Sequence, residues 1–109
     1  MTPKTQARNE AILSEVEGIG GGYVWEREIF AVTLIDIPVS DRHASVLLGL
    51  TGVEQIAINA SNISAPVLNS IARIADLKSL VITGRDIDPE ELSTLQSVGP
   101  AIEIVDHKA

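Results

Sequence analysis

Cysteine is absent from this chain of 109 residues, and tryptophan, tyrosine and phenylalanine occur once each. Without thiols the chain can form no disulfide, no thiolate metal site and no cysteine nucleophile, and its redox compartment is left undetermined. Histidine is nearly as scarce: only His43 and His107 are present, and neither has a partner at metal-ligand or catalytic-triad spacing. The residues therefore predict a protein that is not an enzyme and that carries no cofactor and no metal.

Basic residues are also few, with 8 lysines and arginines against 15 acidic residues and a formal net charge of −7. No basic cluster could displace counterions from phosphates or attract anionic lipids, which argues against nucleic-acid and membrane partners. No apolar run approaches the roughly 18 residues of a membrane span, and the N-terminal MTPKTQARNE has no apolar signal region. We expect a cytoplasmic protein, unless the chain was excised from a longer secreted one.

The chain is rich in apolar residues, at 45% with a mean hydropathy of +0.23, and their spacing is periodic. Three segments align at a constant offset of 24 residues, with apolar residues in seven matched columns. In each segment the apolar spacing first alternates, as in a strand, and then recurs every three residues, as on one helix face. The pattern predicts three strand–turn–helix units, at residues 29–52, 53–76 and 77–100, within one domain.

Each predicted helix begins at a residue suited to cap it. Ser40, Ser64 and Asp88 occupy the same column, where a short side-chain oxygen can accept the first free backbone N–H groups of a helix. The neighbouring carboxylates, Asp86 and Glu90 among them, lack the glycine and ligand spacing of a calcium loop. Helix capping is therefore favoured over a cation site.

The segment LKSLVITGRDI, from Leu77, has leucine or isoleucine at its first, fourth, sixth and eleventh positions, and VEQIAINASNI, from Val53, is nearly as regular. This pattern resembles the leucine-rich repeat family, and in particular its short bacterial repeats. The resemblance implies an α/β fold: a short right-handed solenoid with a parallel sheet on one face, helices on the other and an N-terminal helical cap. The ninth column departs from the family pattern, because Ile37 and Arg85 replace a small polar residue and only Ser61 fits.

The resemblance also implies where a partner would bind. The family presents its binding surface on the sheet, through side chains that flank the inward-pointing strand residues. The set is small, mostly uncharged and partly apolar, which favours contact with a protein over catalysis. Transferred to this sequence, it comprises Ala31, Thr33 and Ile35; Gln55, Ala57 and Asn59; Ser79, Val81 and Thr83; and Glu103 and Val105.

The two ends of the chain differ from the repeats. Residues 1–28 are predicted to hold a cap helix and a lead-in strand or hairpin, and residues 101–109 a terminal strand and tail. In the terminal strand Ile102 and Ile104 are expected to point inward. The edge from Ile102 to Val105 is expected to be open, and such an edge can pair with a second copy of the chain.

The glycine-rich stretch VEGIGGGYVW, residues 16–25, raises the question of a phosphate loop. A dinucleotide-binding loop needs its glycines between a strand and the next helix, whereas these follow a predicted helix and precede a predicted strand. We interpret them as the end of the cap helix. Tyr23 and Trp25 are predicted either to cover the end of the core or to serve as an aromatic anchor for a partner. The core-facing residues expected in the cap helix are Ala11, Ile12, Val16 and Ile19.

Two functions follow from these observations. The first is a non-enzymatic module that binds a protein partner, or itself, through the sheet face or the C-terminal edge strand. The second is a phosphoswitch regulator that resembles anti-sigma-factor-antagonist domains, with Ser40 or Ser64 as the switch at a helix start. A repeat visible in the structure would favour the first.

Overall fold

A computed structural model describes residues 2–27 and 29–105, so Glu28, Asp106 and His107 lie outside the described residues. Strands and helices mostly alternate along the chain. A short 3₁₀ helix, Leu47–Gly49, continues the second α-helix. The elements are α1 (Pro3–Gly18), β1 (Gly22–Trp25), β2 (Phe30–Leu34), α2 (Asp41–Val46), β3 (Gln55–Asn59), α3 (Ala65–Ala72), β4 (Ser79–Thr83), α4 (Pro89–Gln96) and β5 (Ala101–Val105).

The five strands form one open sheet in the order of the chain, β1-β2-β3-β4-β5. β1 and β2 are an antiparallel hairpin, and every later pair is parallel. The predicted α/β class with a mainly parallel sheet is therefore confirmed.

The register of the parallel strands has the same period as the sequence. Val32 lies beside Ile56 and Ile56 beside Leu80, so equivalent positions 24 residues apart are neighbours across β2, β3 and β4. Between β4 and β5 the offset falls to 22, because Leu80 lies beside Ile102. The segment between α4 and β5, residues 97–100, is thus two residues shorter than the segment between α3 and β4, residues 73–78.

The core lies between one face of the sheet and the helices. Alternate strand residues are fully buried there, because a strand points successive side chains to opposite faces. Each such side chain stabilises the fold by about 1.5–3 kcal/mol through its removal from water. The buried strand residues are Val32, Leu34, Ile56, Ile58, Leu80 and Ile82, and they join Ala44, Leu47, Leu68, Ile71 and Leu95 of the helical side.

The three predicted helix starts are confirmed, but they are capped differently. Asp88 accepts the Glu91 N–H at 2.8 Å, and Ser40 accepts the His43 N–H at 3.4 Å. The Ser64 hydroxyl makes no capping bond. Instead the Ser64 N–H donates to Asp41 Oδ1 at 2.7 Å, which ties the start of α3 to the start of α2.

The glycines of this stretch lie at the junction of α1 and β1, as predicted: Gly18 ends α1, Gly20 and Gly21 lie between the two elements, and Gly22 begins β1. Gly20 has φ +98°, a backbone conformation that favours glycine just past a helix end. Gly21 is enclosed: a Cβ there would lie 2.3 Å from Leu34 and 2.9 Å from the Thr33 carbonyl oxygen. The glycines therefore allow the chain to leave α1 and enter the sheet at close range.

The core-facing stripe of α1 differs in part from the predicted one. Ile12 and Val16 are buried, but Ala11 is exposed, and the fully buried Asn9 lies on the same stripe. Asn9 Nδ2 donates to the Thr51 carbonyl at 2.9 Å, and Asn9 Oδ1 accepts the Thr51 N–H at 3.0 Å. This side chain joins α1 to the loop that follows the 3₁₀ helix. A polar residue takes the core-facing position because these backbone groups meet it there.

Candidate interaction surface

The face of the sheet opposite the core, which we call the open face, carries three rows of side chains. They lie in register across the strands, because paired residues point to the same side of a sheet. Glu103 is the only charged residue among them. The rows are Val24, Ala31, Gln55, Ser79 and Ala101; then Thr33, Ala57, Val81 and Glu103; then Asn59, Thr83 and Val105.

Two residues of the predicted binding surface are placed differently from the rest. Thr83 is only 2% exposed, because Asn59 and Val105 flank it in register, so it offers almost no surface to a partner. Ile35 lies one residue beyond the end of β2 and is exposed there. The accessible part of the open face is therefore centred on Thr33, Gln55 and Ala57 and their neighbours.

The outer edge of β5 carries unpaired backbone groups. Ala101 N–H donates to the Lys78 carbonyl at 2.9 Å, so the polar groups of Ala101 and Glu103 face β4. Backbone N–H and C=O groups alternate in direction along a strand, and those of Ile102 and Ile104 therefore point away from β4. No described residue pairs with them, since β5 is the last strand of the sheet.

Ile104 points to the core side of the sheet as predicted, but the core does not enclose it. Its register partner Ile82 is fully buried, which places Ile104 on the core side of the sheet, yet 38% of Ile104 is exposed. No described helix follows β5 to cover it. Ile102 is half-buried. The edge thus combines free backbone groups with accessible apolar surface.

Tyr23 and Trp25 differ in how far they are buried. Trp25 is half-buried and stacks on Phe30 with ring centroids 5.2 Å apart, so it contributes to the core margin. Tyr23 is 41% exposed on the same side of β1. Only Tyr23 is accessible enough to contact a partner.

Two ion pairs lie beside these surfaces. Lys78 Nζ is 2.7 Å from Glu54 Oε2 in an exposed position, and this hydrogen-bonded carboxylate raises the pKa of the ammonium. Arg85 Nη2 is 2.9 Å from Glu91 Oε1 and 3.1 Å from Oε2 in a mostly buried position. Arg85 Nη1 also donates to the Ile63 carbonyl, which belongs to the turn of the preceding unit.

Arg85 occupies the ninth column, where the resemblance to leucine-rich repeats predicts a small polar residue. Its guanidinium joins neighbouring turns through the Ile63 carbonyl. This role could not be predicted from the sequence, because the contact joins two residues that lie 22 positions apart in the chain.

The remaining candidate groups stay apart from the open face. His43 lies in α2, with Nδ1 3.5 Å from the Ser40 hydroxyl. A groove of about 390 Å³ between α3 and α4 is lined in part by Asp88, Glu90 and Glu91. Within residues 2–27 and 29–105, no three His, Asp or Glu side chains come together as a metal site would require.

Comparison with known proteins finds no matching family model, no matching curated protein and no matching solved structure. In the described part of the chain, no helix has the length and apolarity needed to cross a bilayer.

Proposed function

We propose that the chain is a short interaction module of the leucine-rich repeat type, a solenoid that binds a protein partner through its open face or the outer edge of β5. The constant 24-residue offset across β2, β3 and β4 supports the repeat assignment, because it places equivalent residues side by side. The same register argues against the phosphoswitch alternative, which predicts no structural repeat, although the mixed sheet that this alternative also predicts is present because β1 and β2 are antiparallel.

The open face is the observation that carries the proposal. It crosses all five strands, its side chains are mostly small, and Glu103 is its only charge. Interface cores are depleted of charged residues, and the open face carries a single charge. A surface of this composition is suited to contact with a protein.

Affinity capture with three versions of the full chain tests the proposal. Ala57→Arg places a long cation at the centre of the open face, and Ser93→Arg places the same group on the exposed side of α4 as a matched control. Proteins that bind the wild type and Ser93→Arg, and that bind Ala57→Arg at least about ten-fold more weakly, would support it, since burying an unpaired charge costs more than 1.4 kcal/mol. Equal capture by all three would contradict it.

A further inference from the structure

We infer that the outer edge of β5 accepts an extended strand of a basic partner protein, with a lysine or arginine opposite Glu103, in preference to a second copy of this chain. The inference rests on the proposed function and adds the chemistry of the partner. It depends on three observations: the direction of the free backbone groups, the position of Glu103 and the charge of the whole chain.

The free backbone groups determine how a strand can pair with β5. Because Ile102 and Ile104 point their N–H and C=O groups outward, an antiparallel strand would exchange hydrogen bonds with those two residues. The residue opposite Glu103 would then form a non-hydrogen-bonded pair, in which Cα atoms approach to about 4.5 Å and side chains are closest. Glu103 is thus the position at which the incoming side chain is most strongly selected.

Two antiparallel registers of two copies of β5, the one centred on Glu103 and the one centred on Ile102, are disfavoured by this geometry. Full overlap of Ala101–Val105 with itself is centred on Glu103, so the two Glu103 carboxylates would face each other at the closest pair. Like charges directly opposite each other destabilise a sheet. A register centred on Ile102 would place Pro100 opposite Ile104, and proline has no N–H to donate.

Charge favours a basic partner at the same position. Among the described residues Glu103 has no ion-pair partner, while the Lys78 and Arg85 cations are already paired with Glu54 and Glu91. The chain as a whole has a net charge of −7, which attracts a cationic segment and repels an acidic one. A basic side chain opposite Glu103 would form an ion pair with its carboxylate, whereas full overlap with a second copy would place another carboxylate there.

The partner strand should be apolar on its other face. Ile104 is 38% exposed on the core side of the sheet, and Ile102 is half-buried beside it. Residues that flank the basic side chain in an incoming strand would pack over these isoleucines, because strand side chains alternate between faces. The expected segment therefore has the pattern apolar–basic–apolar.

Three labelled peptides of nine residues test this inference against the full chain. Each is blocked at both ends and alternates threonine and valine, and the peptides differ only at the centre, which is lysine, glutamate or glutamine. By fluorescence anisotropy we expect the lysine peptide to bind about five-fold more tightly than the glutamate peptide, with glutamine between them. Glu103→Lys should reverse that order, and 0.5 M salt should reduce the difference.

A pair of substitutions at Ile104 tests whether the peptide pairs with the edge. Ile104→Pro removes an outward N–H without breaking a bond to β4, whereas Ile104→Ala shortens the side chain and keeps the N–H. We expect Pro to weaken lysine-peptide binding about ten-fold more than Ala does, as for one lost hydrogen bond. Equal effects, or no preference among the peptides, would overturn the inference.

Light scattering tests the exclusion of a second copy. The wild type should stay a monomer as its concentration rises, and Glu103→Gln should show more dimer because the repulsion is removed. A wild-type dimer that Ile104→Pro dissociates would overturn the inference. If Ala57→Arg still abolishes capture while no peptide binds β5, the proposed function stands without this edge; if neither surface binds anything, both are wrong.

Discussion

At the scale of single residues, Asn9 and Arg85 connect parts of the chain that are far apart in sequence. Asn9 meets the backbone of Thr51, 42 residues away, and Arg85 meets the carbonyl of Ile63. Both polar side chains are largely removed from water, where an unsatisfied partner is costly. Their loss should therefore affect the stability of the fold.

Asn9→Ala should lower the free energy of unfolding by about 2 kcal/mol, because it leaves the Thr51 N–H and C=O without their side-chain partner. Gln6→Ala is the matched control in the same helix, since Gln6 is exposed and its side chain donates to Glu10 Oε1 at 3.2 Å. Urea denaturation would measure both. Similar values for the two variants would show that the Asn9 bonds add nothing to the fold.

Arg85→Met should destabilise the protein by about 2–3 kcal/mol, because the Glu91 carboxylate and the Ile63 carbonyl lose their common donor. Lys78→Met is the control: its side chain is 75% exposed against 22% for Arg85, and exposed pairs contribute little. Urea midpoints would compare them. A further Glu91→Leu substitution should recover part of the loss in Arg85→Met, and no recovery would contradict the role of the buried carboxylate.

The Lys78 pair has its own dependence on pH. Because Glu54 raises the pKa of Lys78 above 10.5 in the folded chain, the contribution of the pair is fully present below pH 10.5. It is lost as the pH rises through the higher folded-state pKa. Wild type and Lys78→Met should therefore converge in stability above that range, and a difference that grew with pH would contradict this assignment.

At the scale of elements, the passage from α1 to β1 depends on one glycine that leaves no room for a side chain. A Cβ at Gly21 would meet Leu34 at 2.3 Å, Val16 at 2.8 Å and a backbone oxygen at 2.9 Å. Contacts below 3.0 Å require the surroundings to move, and the backbone of β2 cannot move without disturbing the hairpin. The angle at which α1 joins the sheet is therefore fixed here.

Gly21→Ala should destabilise the protein by about 1–3 kcal/mol, the usual cost of overpacking. Gly22→Ala is the neighbouring control, because a Cβ there would meet nothing within 4 Å. Thermal unfolding should show a clear decrease for the first variant and no decrease for the second. Equal melting temperatures would mean that the residues around Gly21 can move to accommodate a Cβ without loss of stability.

The elements themselves could largely be predicted from sequence. Alternating apolar residues indicated β2, β3 and β4, and the cap column gave the starts of three helices, because both signals are local. The buried Asn9, the reach of Arg85 and the burial of Thr83 could not be predicted in this way. Each depends on which backbone groups or strands meet the side chain after folding.

The candidate surface was predictable only as a set of positions. The 24-residue period placed Gln55 beside Ser79 on one face, and the register agrees. Alternation predicted the face that Ile104 occupies, but how much of its side chain is exposed depends on whether another element covers it. The direction of the backbone groups in β5 could not be predicted either. It depends on how β5 pairs with β4, and the residue pattern of one strand does not contain that pairing.

At the scale of the whole molecule, stability should decrease from the centre of the sheet towards β5. The inner residues of β3 and β4 are fully buried, whereas β5 pairs on one side only among the residues that the structure describes. Amide hydrogens exchange fastest where backbone groups lack partners. The fold should therefore have a protected middle and a labile C-terminal edge.

Hydrogen exchange followed by NMR should show an alternating pattern in β5. The amides of Ile102 and Ile104 should exchange rapidly, and that of Ala101, which donates to Lys78, should be protected. In β3 and β4 the amides that point to either side of the strand should be protected, because each of these strands has two neighbours. Uniform protection along β5 would mean that another segment or molecule covers its outer edge.

The two borders of the sheet are chemically different, and this determines the stoichiometry of any assembly. Joining β5 of one molecule to β1 of the next would repeat at every copy and build an open filament. β1, however, offers only the four residues Gly22–Trp25, in an antiparallel hairpin beside α1. A foreign strand on β5 would occupy the longer border, so we expect one partner segment per molecule and a complex that does not grow.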